Sequence, residues 1–499
     1  MRRLVKIIAT VGPASDPILE ELANRVDCIR VNFSHGSRAE NGKRIERVKE
    51  CAEVPIMLDT AGPELRVEKE VEVKANEPFK LSIIPKIKLV DGDVVLIDDG
   101  RIEVVYEEGY FKSKYDVKIR RGAKVTIKGR DIPLPTLTKK DLEDIKFGVK
   151  KGIDIVALSF VRSVEDVIEL KEYLDDLGAK DVWIVTKIEH PKALDDLWRI
   201  IKFSDGVMVA RGDLGVGLPF QKVPAIQKRI VDLSIELGKT VIIATQLLAS
   251  MVKEPNPTRA EVSDVFNSVL SGADALMLSN ETAVGKHPLR AVEVLDKIIK
   301  EAQKHVRVDP KPLDFGELMG RAGVKVAEYV KGTIICSTED GETVKKIAKF
   351  KPFAEIIYKC ENERIRKNLK IVWGAYPEGE PEGYIVEIST LPYKPKIEVY
   401  RTRDVICIGK GIGSGKVEGV VGVDIRIAEK GEVVEAPAVL YYGGIKDRAI
   451  AEYIKKNIPV FLPAKRIKRG EPVVIDFDTG LIFYRRKEKY EELYTGAYE

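Results

Sequence analysis

The sequence predicts an α/β protein built on a (β/α)8 barrel. Short runs rich in β-branched residues recur up to residue 278, and amphipathic stretches separate most of them. The runs are continuously apolar rather than alternating, which is typical of parallel strands buried on both faces. There are eight, the number that closes such a barrel. The expected strands are 5–9, 28–31, 55–58, 153–158, 183–186, 206–210, 241–244 and 275–278.

Helix start signals support the segments between the runs. Thr138 is followed three residues later by Asp141, and Ser163 by Asp166. Both pairs resemble capping boxes with Asp in place of Glu, so we expect helices to begin there.

A polar or charged residue follows every predicted strand. These residues are Thr10, Asn32, Asp59, Ser159, Lys187, Arg211, Thr245 and Ser279. Active sites of (β/α)8 barrels lie at the carboxyl ends of the strands, and a purely structural barrel does not need polar residues there. The pattern therefore predicts a barrel enzyme.

The strongest local signal is the pair Glu189 and Asp213 with Lys187. Lys187 and Glu189 are two residues apart at the end of one strand, so they share a face. Asp213 follows the next strand and adds a second carboxylate. Two carboxylates and a lysine suit a divalent metal and a phosphoryl or enolate oxygen. Taken alone, they fit a surface ion pair plus a helix N-cap at Asp213 equally well.

The spacing of the runs divides the chain into four parts. The barrel is expected over 1–66 and 138–305, interrupted at 67–137 by an alternating, turn-punctuated segment that predicts a small β-barrel lid able to exclude water. Residues 306–403 alternate helix and strand, with strands expected near 333–336, 355–358 and 370–373, and predict a three-layer α/β domain. Residues 404–499 are expected to form an additional C-terminal α/β domain, with a helix near 446–456 and a closing hairpin over 473–483.

Composition narrows the functional classes. The 499 residues carry 83 Lys and Arg against 79 Asp and Glu, with no concentrated basic tract, so a nucleic acid partner is not expected. Five cysteines without Cys-x-x-Cys spacing argue against a disulfide framework and a structural zinc site. With no long uncharged apolar run and no signal-peptide core, we expect a cytoplasmic protein without a membrane span.

Seven motifs, in order, resemble the pyruvate kinase family over about residues 5–375. They are Arg30-Val-Asn-Phe-Ser-His-Gly36, Leu58-Asp-Thr-Ala-Gly-Pro-Glu-Leu-Arg66, Lys187-Ile-Glu189, Val209-Ala-Arg-Gly-Asp-Leu-Gly215, Ala244-Thr-Gln246, Pro257-Thr-Arg-Ala-Glu261 and Met277-Leu-Ser-Asn-Glu-Thr-Ala283. The resemblance implies phosphoryl transfer from phosphoenolpyruvate to ADP, giving ATP and pyruvate. It also implies a homotetramer.

The resemblance assigns roles to individual residues. Glu189 and Asp213 would bind Mg²⁺ (or Mn²⁺), and Lys187 would neutralise the transferring phosphoryl and the enolate. The catalytic set would be Lys187, Thr245, Arg30, Ser279 and Glu281, with Thr245 linked to enolate protonation. Substrate contacts would come from Arg30, Arg66, Ser159, Phe160, Lys187, Arg211, Gly212, Asp213 and Thr245. Nucleotide contacts would come from His35, Asn32 and Arg66.

A monovalent cation site accompanies the resemblance. Its oxygen donors would be Asn32, Ser34, Asp59 and Thr60, a set that suits K⁺. Glu64 occupies the position where a glutamate accompanies K⁺ dependence in the family. Ala61 and Val67, however, replace residues usual in K⁺-dependent members. We expect K⁺ activation.

Two other departures from the family pattern affect the expectations. The usual Arg-Lys-Gly-Val-Asn stretch of the lid appears as Arg120-Arg-Gly-Ala-Lys-Val-Thr126, so either Arg121 or Lys124 could meet the nucleotide. Residues 337–343 carry three acidic side chains where regulated members hold an effector phosphate. These would repel a sugar bisphosphate, so activation by fructose 1,6-bisphosphate is not expected.

The C-terminal segment resembles the swivelling phosphohistidine domain of phosphoenolpyruvate-utilising enzymes. The four histidines are His35, His190, His287 and His305, all before residue 404, so we expect a structural or subunit-contact role. The glycine-rich run 409–416 fails P-loop spacing and predicts a linker or tight hairpin.

Two rival functions remain open from the motifs. A Mg²⁺-dependent aldolase or lyase acting on a pyruvate enolate would share Glu189 and Asp213 but would not require the lid, Lys187 or the Asn32, Ser34 and Asp59 cluster. A catalytically silent relative is disfavoured because the polar core positions are all present.

Overall fold

The computed structural model describes residues 2–377 except 99, 131 and 133, then residues 379 and 381 and the strands beyond residue 383 given below. Apart from the first two residues, the chain forms two compact units. One comprises residues 3–307 with 370–373, and the other comprises 308–369 and the chain from 374 onward.

Eight parallel strands in the first unit form a closed barrel, as predicted. Strands β1 to β8 are Lys6–Val11, Cys28–Asn32, Ile56–Asp59, Ile155–Leu158, Trp183–Ile188, Gly206–Ala210, Thr240–Ala244 and Ala275–Leu278. They follow chain order around the barrel, with β1 paired to β8. Each bound lies within two residues of the predicted one. Nearly every strand residue is buried, which is why these strands appear in the sequence as continuous apolar runs.

Helices connect these strands. The α-helices of this unit are Leu19–Ala23, Arg38–Cys51, Lys139–Lys151, Val164–Asp176, Leu197–Phe203, Arg211–Gly217, Val223–Glu236, Arg259–Leu270, Asn280–Ala283 and Pro288–Ala302. The predicted starts are confirmed at both caps. The Asp141 N–H donates to Thr138 Oγ1 at 3.2 Å, and the Ser163 N–H donates to Asp166 Oδ2 at 3.1 Å.

The segment inserted after β3 is all-β, as predicted. Its strands are Leu65–Val67, Val71–Val73, Ile83–Ile84, Val94–Ile97, Ile102–Glu107, Tyr110–Ser113, Val117–Ile119 and Lys124–Ile127. Among the described residues they form one six-stranded and one two-stranded antiparallel sheet around their own apolar core. A closed small barrel and a lid function stay predictions.

The second unit contains a six-stranded mixed sheet. In sheet order its strands are Ala375–Tyr376, Ile356–Lys359, Thr333–Ser337, Tyr384–Ser389, Lys396–Arg401 and Asp404–Ile408. The first four are parallel, and each of the last two pairs antiparallel with the strand before it. Its helices are Phe315–Val330, Glu342–Ala348 and Glu363–Asn368. An α/β domain is thus present, and its sheet runs to Ile408, beyond the boundary expected at 404.

One predicted strand is wrong. The apolar run 370–373 lies in a 3₁₀ turn, Leu369–Ile371, and the short strand begins only at Ala375. Trp373 is fully buried, and its backbone N–H donates to Asp274 Oδ1 at 3.0 Å. A short apolar run reports burial without specifying a strand, since a buried turn has the same composition.

Seven further strands are described after Ile408. Lys416–Val420, Pro472–Asp476, Leu481–Arg486 and Lys489–Leu493 form an antiparallel sheet, and Arg426–Ala428, Val439–Tyr441 and Val460–Phe461 form a parallel one. The predicted closing hairpin is confirmed. Residues 409–415 and the helix expected at 446–456 lie outside the described residues. No helix in the described part of the chain is long and apolar enough to cross a membrane.

Candidate active site

The polar residues predicted at the strand ends meet at one mouth of the barrel. A cavity of about 520 Å³ opens there, bordered on one side by the insert and on the other by residues after β4, β5 and β6. Glu64, Lys124, Phe160, Glu189 and Asp213 are among its lining residues. The cavity is the right size for a small-molecule site and combines apolar walls with a few convergent charges.

Asp59 is the centre of the charged network. Its Oδ2 accepts from Arg30 Nε at 2.6 Å, and its Oδ1 accepts from Lys187 Nζ at 3.0 Å and Ser159 Oγ at 3.2 Å. Asp59 is fully buried, and Arg30 is only 7% exposed. Arg30 also donates from Nη1 to Thr10 Oγ1 at 3.0 Å, which fixes its plane. One carboxylate at the end of β3 thus orients two cations on other strands.

Opposite charges hold these buried groups ionised. Burial acts to raise the pKa of Asp59, but Arg30 and Lys187 overcome it and bring the pKa below its usual value. Burial acts to lower the pKa of Lys187, but Asp59 and Glu189 overcome it and raise the pKa. Lys187 is therefore a permanent cation at neutral pH, as electrostatic stabilisation of a phosphoryl group requires.

Glu189 is a buried carboxylate rather than half of a surface ion pair. It is 2% exposed, and Lys187 Nζ lies 3.4 Å from its Oε2, so the two side chains share a face as predicted. The Phe160 N–H donates to Oε1 at 2.7 Å. Oε2 is buried and accepts no hydrogen bond among the described residues. Burial raises the pKa of Glu189 to about 7.

The alternative role of Asp213 as an N-cap is wrong. Asp213 is the third residue of helix Arg211–Gly217, whose N-cap is Ala210. Its carboxylate projects into the cavity, where Lys124 Nζ forms an ion pair with Oδ1. The two predicted metal-binding carboxylates therefore line one cavity from adjacent strand ends.

Lys124 brings the insert to the barrel mouth. Its Nζ lies 3.5 Å from Glu64 Oε1 and 4.7 Å from the centre of the Phe160 ring. Burial acts to lower the pKa of Lys124, but Asp213 and Glu64 overcome it and raise the pKa. Of the two lid candidates, the structure places Lys124 in the cavity, whereas Arg121 is exposed.

Thr245 lies at the end of β7, next to the start of the Arg211–Gly217 helix. The Gly212 N–H donates to Thr245 Oγ1 at 2.8 Å. The Arg211 guanidinium donates to the Thr245 carbonyl and to Asp264, so its side chain is engaged with protein groups. A substrate contact by the Arg211 side chain stays a prediction.

Ser279 and Glu281 lie at the end of β8. Glu281 is 3% exposed and accepts from the N–H groups of Ser279 at 2.8 Å and Leu248 at 3.2 Å. Ser279 Oγ is buried and has no hydrogen-bond partner among the described residues. The glutamate therefore organises the backbone, and the serine hydroxyl is available to a water or ligand.

The predicted monovalent-ion donors occupy neighbouring strands. Asn32 and Asp59 are direct register partners in β2 and β3. Asn32 Oδ1 accepts from the Ser34 N–H at 3.0 Å, and Thr60 Oγ1 donates to the Ala157 carbonyl at 3.3 Å. Carboxylate, amide and hydroxyl oxygens are thus concentrated at one edge of the mouth.

The residues predicted to contact the nucleotide are Asn32 at the end of β2, His35 in the segment that follows, and Arg66 in the insert strand Leu65–Val67. Partial desolvation of the His35 imidazole lowers its pKa, and the charge of Arg66 lowers the pKa further. Arg66 forms an ion pair with Glu64 and donates to the Gly122 carbonyl at 2.7 Å. The Ser159 hydroxyl accepts a hydrogen bond from Lys187 Nζ at 2.8 Å and lies 2.7 Å from the Thr60 carbonyl oxygen, so Ser159 belongs to the Asp59 network, and its contact with substrate stays a prediction.

Sequence reasoning missed three contributors. Thr10 was noted only as a polar strand end, although it orients Arg30. Glu64 was considered only for K⁺ dependence, although it pairs with Arg66 and Lys124. Asp264, within helix Arg259–Leu270, carried no signal because a lone Asp on a helix is usually solvated.

Two family models match the chain. "Pyruvate kinase, barrel domain" matches residues 2–292, and "Pyruvate kinase, alpha/beta domain" matches residues 319–407. The first match includes every predicted site residue.

Curated proteins with similar sequences are also pyruvate kinases. The chain is 35% identical over 460 residues to a pyruvate kinase of Sporosarcina psychrophila, covering 83% of this chain and 78% of the relative. It is 37% identical over 419 residues to a pyruvate kinase of Staphylococcus aureus (strain USA300), covering 75% and 71%. With a pyruvate kinase of Bacillus licheniformis it is 30% identical over 584 aligned positions, covering 97% and 99%. The chain belongs to the pyruvate kinase family of phosphotransferases, as the sequence motifs predict.

Proposed function

We propose that the barrel mouth transfers the phosphoryl group of phosphoenolpyruvate to ADP, giving ATP and pyruvate. The observation that carries the proposal is Lys187, a cation whose side chain is only 11% exposed and which contacts Asp59, Ser159 and Glu189 at the carboxyl ends of three strands. Family membership supplies the reaction, and this arrangement supports the assignment of its site.

Glu189 and Asp213 would hold Mg²⁺ or Mn²⁺. They fit a divalent cation because Glu189 Oε2 is buried and no described residue donates a hydrogen bond to it, and because carboxylate oxygens are the ligands such ions prefer. No group of three or more His, Cys, Asp or Glu side chains suited to a metal occurs in the described part of the chain, so substrate oxygens and water would complete the shell. When bound, the cation offsets charge on the phosphoryl and enolate oxygens.

Arg30 and Lys187 would bind the phosphoryl group, with Arg66 as a second contact. In the transfer, the bond between phosphorus and the enolate oxygen breaks, and a β-phosphate oxygen of ADP forms the new one. Negative charge remains on the enolate, where Lys187 stabilises it. Ser159 and Phe160 would shape the pocket. The segment Arg211, Gly212 and Asp213 completes the proposed substrate contacts through its backbone N–H groups, since the Arg211 guanidinium is engaged by Thr245 and Asp264.

Thr245 would direct protonation of the enolate, supported by Ser279 and Glu281. The electron pair of the enolate double bond forms a carbon–hydrogen bond as the carbonyl of pyruvate is restored. The proton would pass through water held by the Thr245 and Ser279 hydroxyls, and bulk solvent would replace it. Ser279 Oγ, which is buried and has no hydrogen-bond partner in the part of the chain that the structure describes, supports such a water site.

Nucleotide contacts are proposed for His35, Asn32 and Arg66, with Lys124 as a lid contact. The oxygen cluster Asn32, Ser34, Asp59 and Thr60 fits K⁺ by donor chemistry. Activity should therefore rise when K⁺ is added to a buffer based on tetraalkylammonium salts. Equal activity with and without K⁺ would contradict the monovalent site while leaving phosphoryl transfer intact.

The segment after Ile408 is proposed to be an additional domain similar to a swivelling domain, with a structural or subunit-contact role. The alignment with the Bacillus licheniformis relative supports this, since it covers 97% of the chain and so includes most of this segment. Deleting residues 409–499 should reduce thermal stability or assembly more than turnover. Abolished turnover in a folded, assembled truncation would overturn the assignment. The homotetramer and the cytoplasmic location stay predictions.

The deciding experiment is ADP- and Mg²⁺-dependent pyruvate formation in the wild type and Lys187→Met. We expect kcat to fall roughly 10²- to 10³-fold, the usual effect of removing one preorganised electrostatic stabiliser. Lys192→Met is a matched control, because Lys192 also borders the cavity but is exposed rather than buried. Equal rates in the wild type and Lys187→Met would remove Lys187 from the mechanism. Pyruvate formation from phosphoenolpyruvate without ADP would show transfer of the phosphoryl group to water instead of a nucleotide, and would overturn the assignment of ADP as the acceptor.

A further inference from the structure

Thr245 adopts a backbone conformation that its side chain disfavours. Its φ is +67°, and that of the following Gln246 is +54°. The left-handed region is uncommon for any residue with a side chain and particularly so for a β-branched one. Such a conformation is energetically unfavourable and persists only where surrounding groups impose it. The structure shows which groups do so.

Arg211 donates two hydrogen bonds to the carbonyl oxygen of Thr245. Its Nη2 donates to this oxygen at 2.6 Å and its Nε donates at 3.2 Å, a forked contact from one guanidinium. The Arg211 side chain is only 9% exposed, so water competes weakly. On the other side of the residue, the Gly212 N–H donates to Thr245 Oγ1 at 2.8 Å. Two successive residues thus fix both the backbone and the hydroxyl of Thr245.

Asp264 fixes Arg211 in turn. Arg211 Nη1 donates to Asp264 Oδ1 at 2.7 Å, from the outer side of the same guanidinium. Asp264 belongs to helix Arg259–Leu270, and its side chain is 38% exposed. A charge-assisted contact to one edge of a planar guanidinium determines where the other edges point. The chain of contacts therefore runs from a helix outside the barrel to the threonine at its mouth.

We propose that Arg211 and Asp264 are positioning residues for enolate protonation, acting through Thr245. Arg211 holds the peptide of Thr245 in the left-handed conformation, and Asp264 holds the guanidinium in the plane that this requires. The inference rests on the proposed function, since it assigns Thr245 to the proton-transfer step. Enolate protonation is thereby distinct from phosphoryl transfer, which in the proposed function depends on Lys187 and Arg30 at other strand ends.

The test separates the two steps in Asp264→Asn, which keeps the shape of the side chain but removes its charge. Phosphoryl transfer is measured as ATP formed from phosphoenolpyruvate and ADP in single turnovers. Proton transfer is measured as deuterium incorporated from D₂O into the methyl group of pyruvate, with Mg²⁺ and ATP present. We expect exchange to fall roughly tenfold to a hundredfold, because displacing a catalytic group by about 1 Å has that effect. Single-turnover ATP formation should change less than about twofold, because Lys187 and Arg30 keep their contacts.

Three further variants make the result specific. Asp232→Asn removes one partner of an exposed ion pair on helix Val223–Glu236 and should leave both steps unchanged. Asp264→Glu should recover part of the exchange, because it restores the charge. Arg211→Lys should lose exchange even though it keeps a cation, because an ammonium lacks the planar fork.

The outcomes distinguish this inference from the proposed function. Equal losses in both steps, or no loss of exchange in Asp264→Asn, would overturn the positioning role. If Asp264→Asn fails to fold, the comparison of Asp264→Glu with Arg211→Lys tests the same role, and equal exchange in those two variants would overturn it. Failure of the wild-type chain to form ATP would instead overturn the proposed function.

Discussion

Gly62 offers a quantitative test of how tightly the mouth is packed. Its φ is +69°, and a methyl group added there would lie 2.5 Å from Phe160 Cδ2 and 3.1 Å from Ser159 Cβ. Gly62→Ala would therefore combine about 1–2 kcal/mol of left-handed strain with about 1–3 kcal/mol of overpacking. We expect the free energy of unfolding to fall by about 2–5 kcal/mol, the sum of these two contributions.

Two comparisons separate these contributions. Gly92→Ala has a φ of +92° and open space around the added methyl, so it should show only the backbone cost. In a Phe160→Ala background, the loss in unfolding free energy caused by Gly62→Ala should fall towards the loss caused by Gly92→Ala. A small excess should remain, because the following Pro63 restricts the backbone of residue 62. The free energies are measured by urea denaturation of the full chain.

A functional consequence accompanies the loss of stability. Since the Phe160 N–H donates to Glu189 Oε1, displacing Phe160 moves a proposed metal ligand. Mn²⁺ binding, measured by electron paramagnetic resonance, should weaken in Gly62→Ala and not in Gly92→Ala. Equal unfolding free energies in Gly62→Ala and Gly92→Ala would refute the reasoning, because they would show that Phe160 yields without cost.

Three further predictions concern other parts of the molecule. In the absence of substrate, Lys124→Met should bind Mn²⁺ several-fold more tightly than the wild type, because the ammonium that pairs with Asp213 is gone. The control Arg121→Met should bind Mn²⁺ as the wild type does. Equal Mn²⁺ affinities in the two variants would contradict the prediction. Burial raises the pKa of Cys336 to about 12, so at pH 8 iodoacetamide should label the half-buried Cys51 well before Cys336, as peptide mass spectrometry can check. Fructose 1,6-bisphosphate should leave the apparent KM for phosphoenolpyruvate unchanged; a clear fall would show that residues 337–343 do not exclude it.

The barrel was predictable because its strands are buried on both faces. This burial makes each strand a continuous apolar run, and the strand ends then identify the mouth without further information. The turn at 370–373 was mispredicted for the same reason, because composition reports burial and not backbone conformation.

Contacts that join distant segments could not be predicted. Lys124 reaches Asp213 across 89 residues, from a sheet whose placement no local pattern encodes. Asp264 reaches Arg211 across 53 residues, and Arg211 contacts the carbonyl of Thr245, whose left-handed φ a β-branched residue does not favour by itself. The sequence therefore indicated the proposed reactive groups and left open the residues that orient them.

Asp59 makes the two principal cations of the mouth inseparable in their energetics. Since one carboxylate accepts from both Arg30 and Lys187, neutralising either cation changes the position and charge balance of the other. The increase in the activation barrier measured for an Arg30 variant and that measured for a Lys187 variant would then each include the effect of disturbing Asp59. Their sum should exceed the loss in the double variant by about 0.5–3 kcal/mol, the usual range for residues in one network. Separate contributions of Arg30 and Lys187 to the activation barrier are therefore not defined. Only the joint contribution of Arg30, Lys187 and Asp59 is defined.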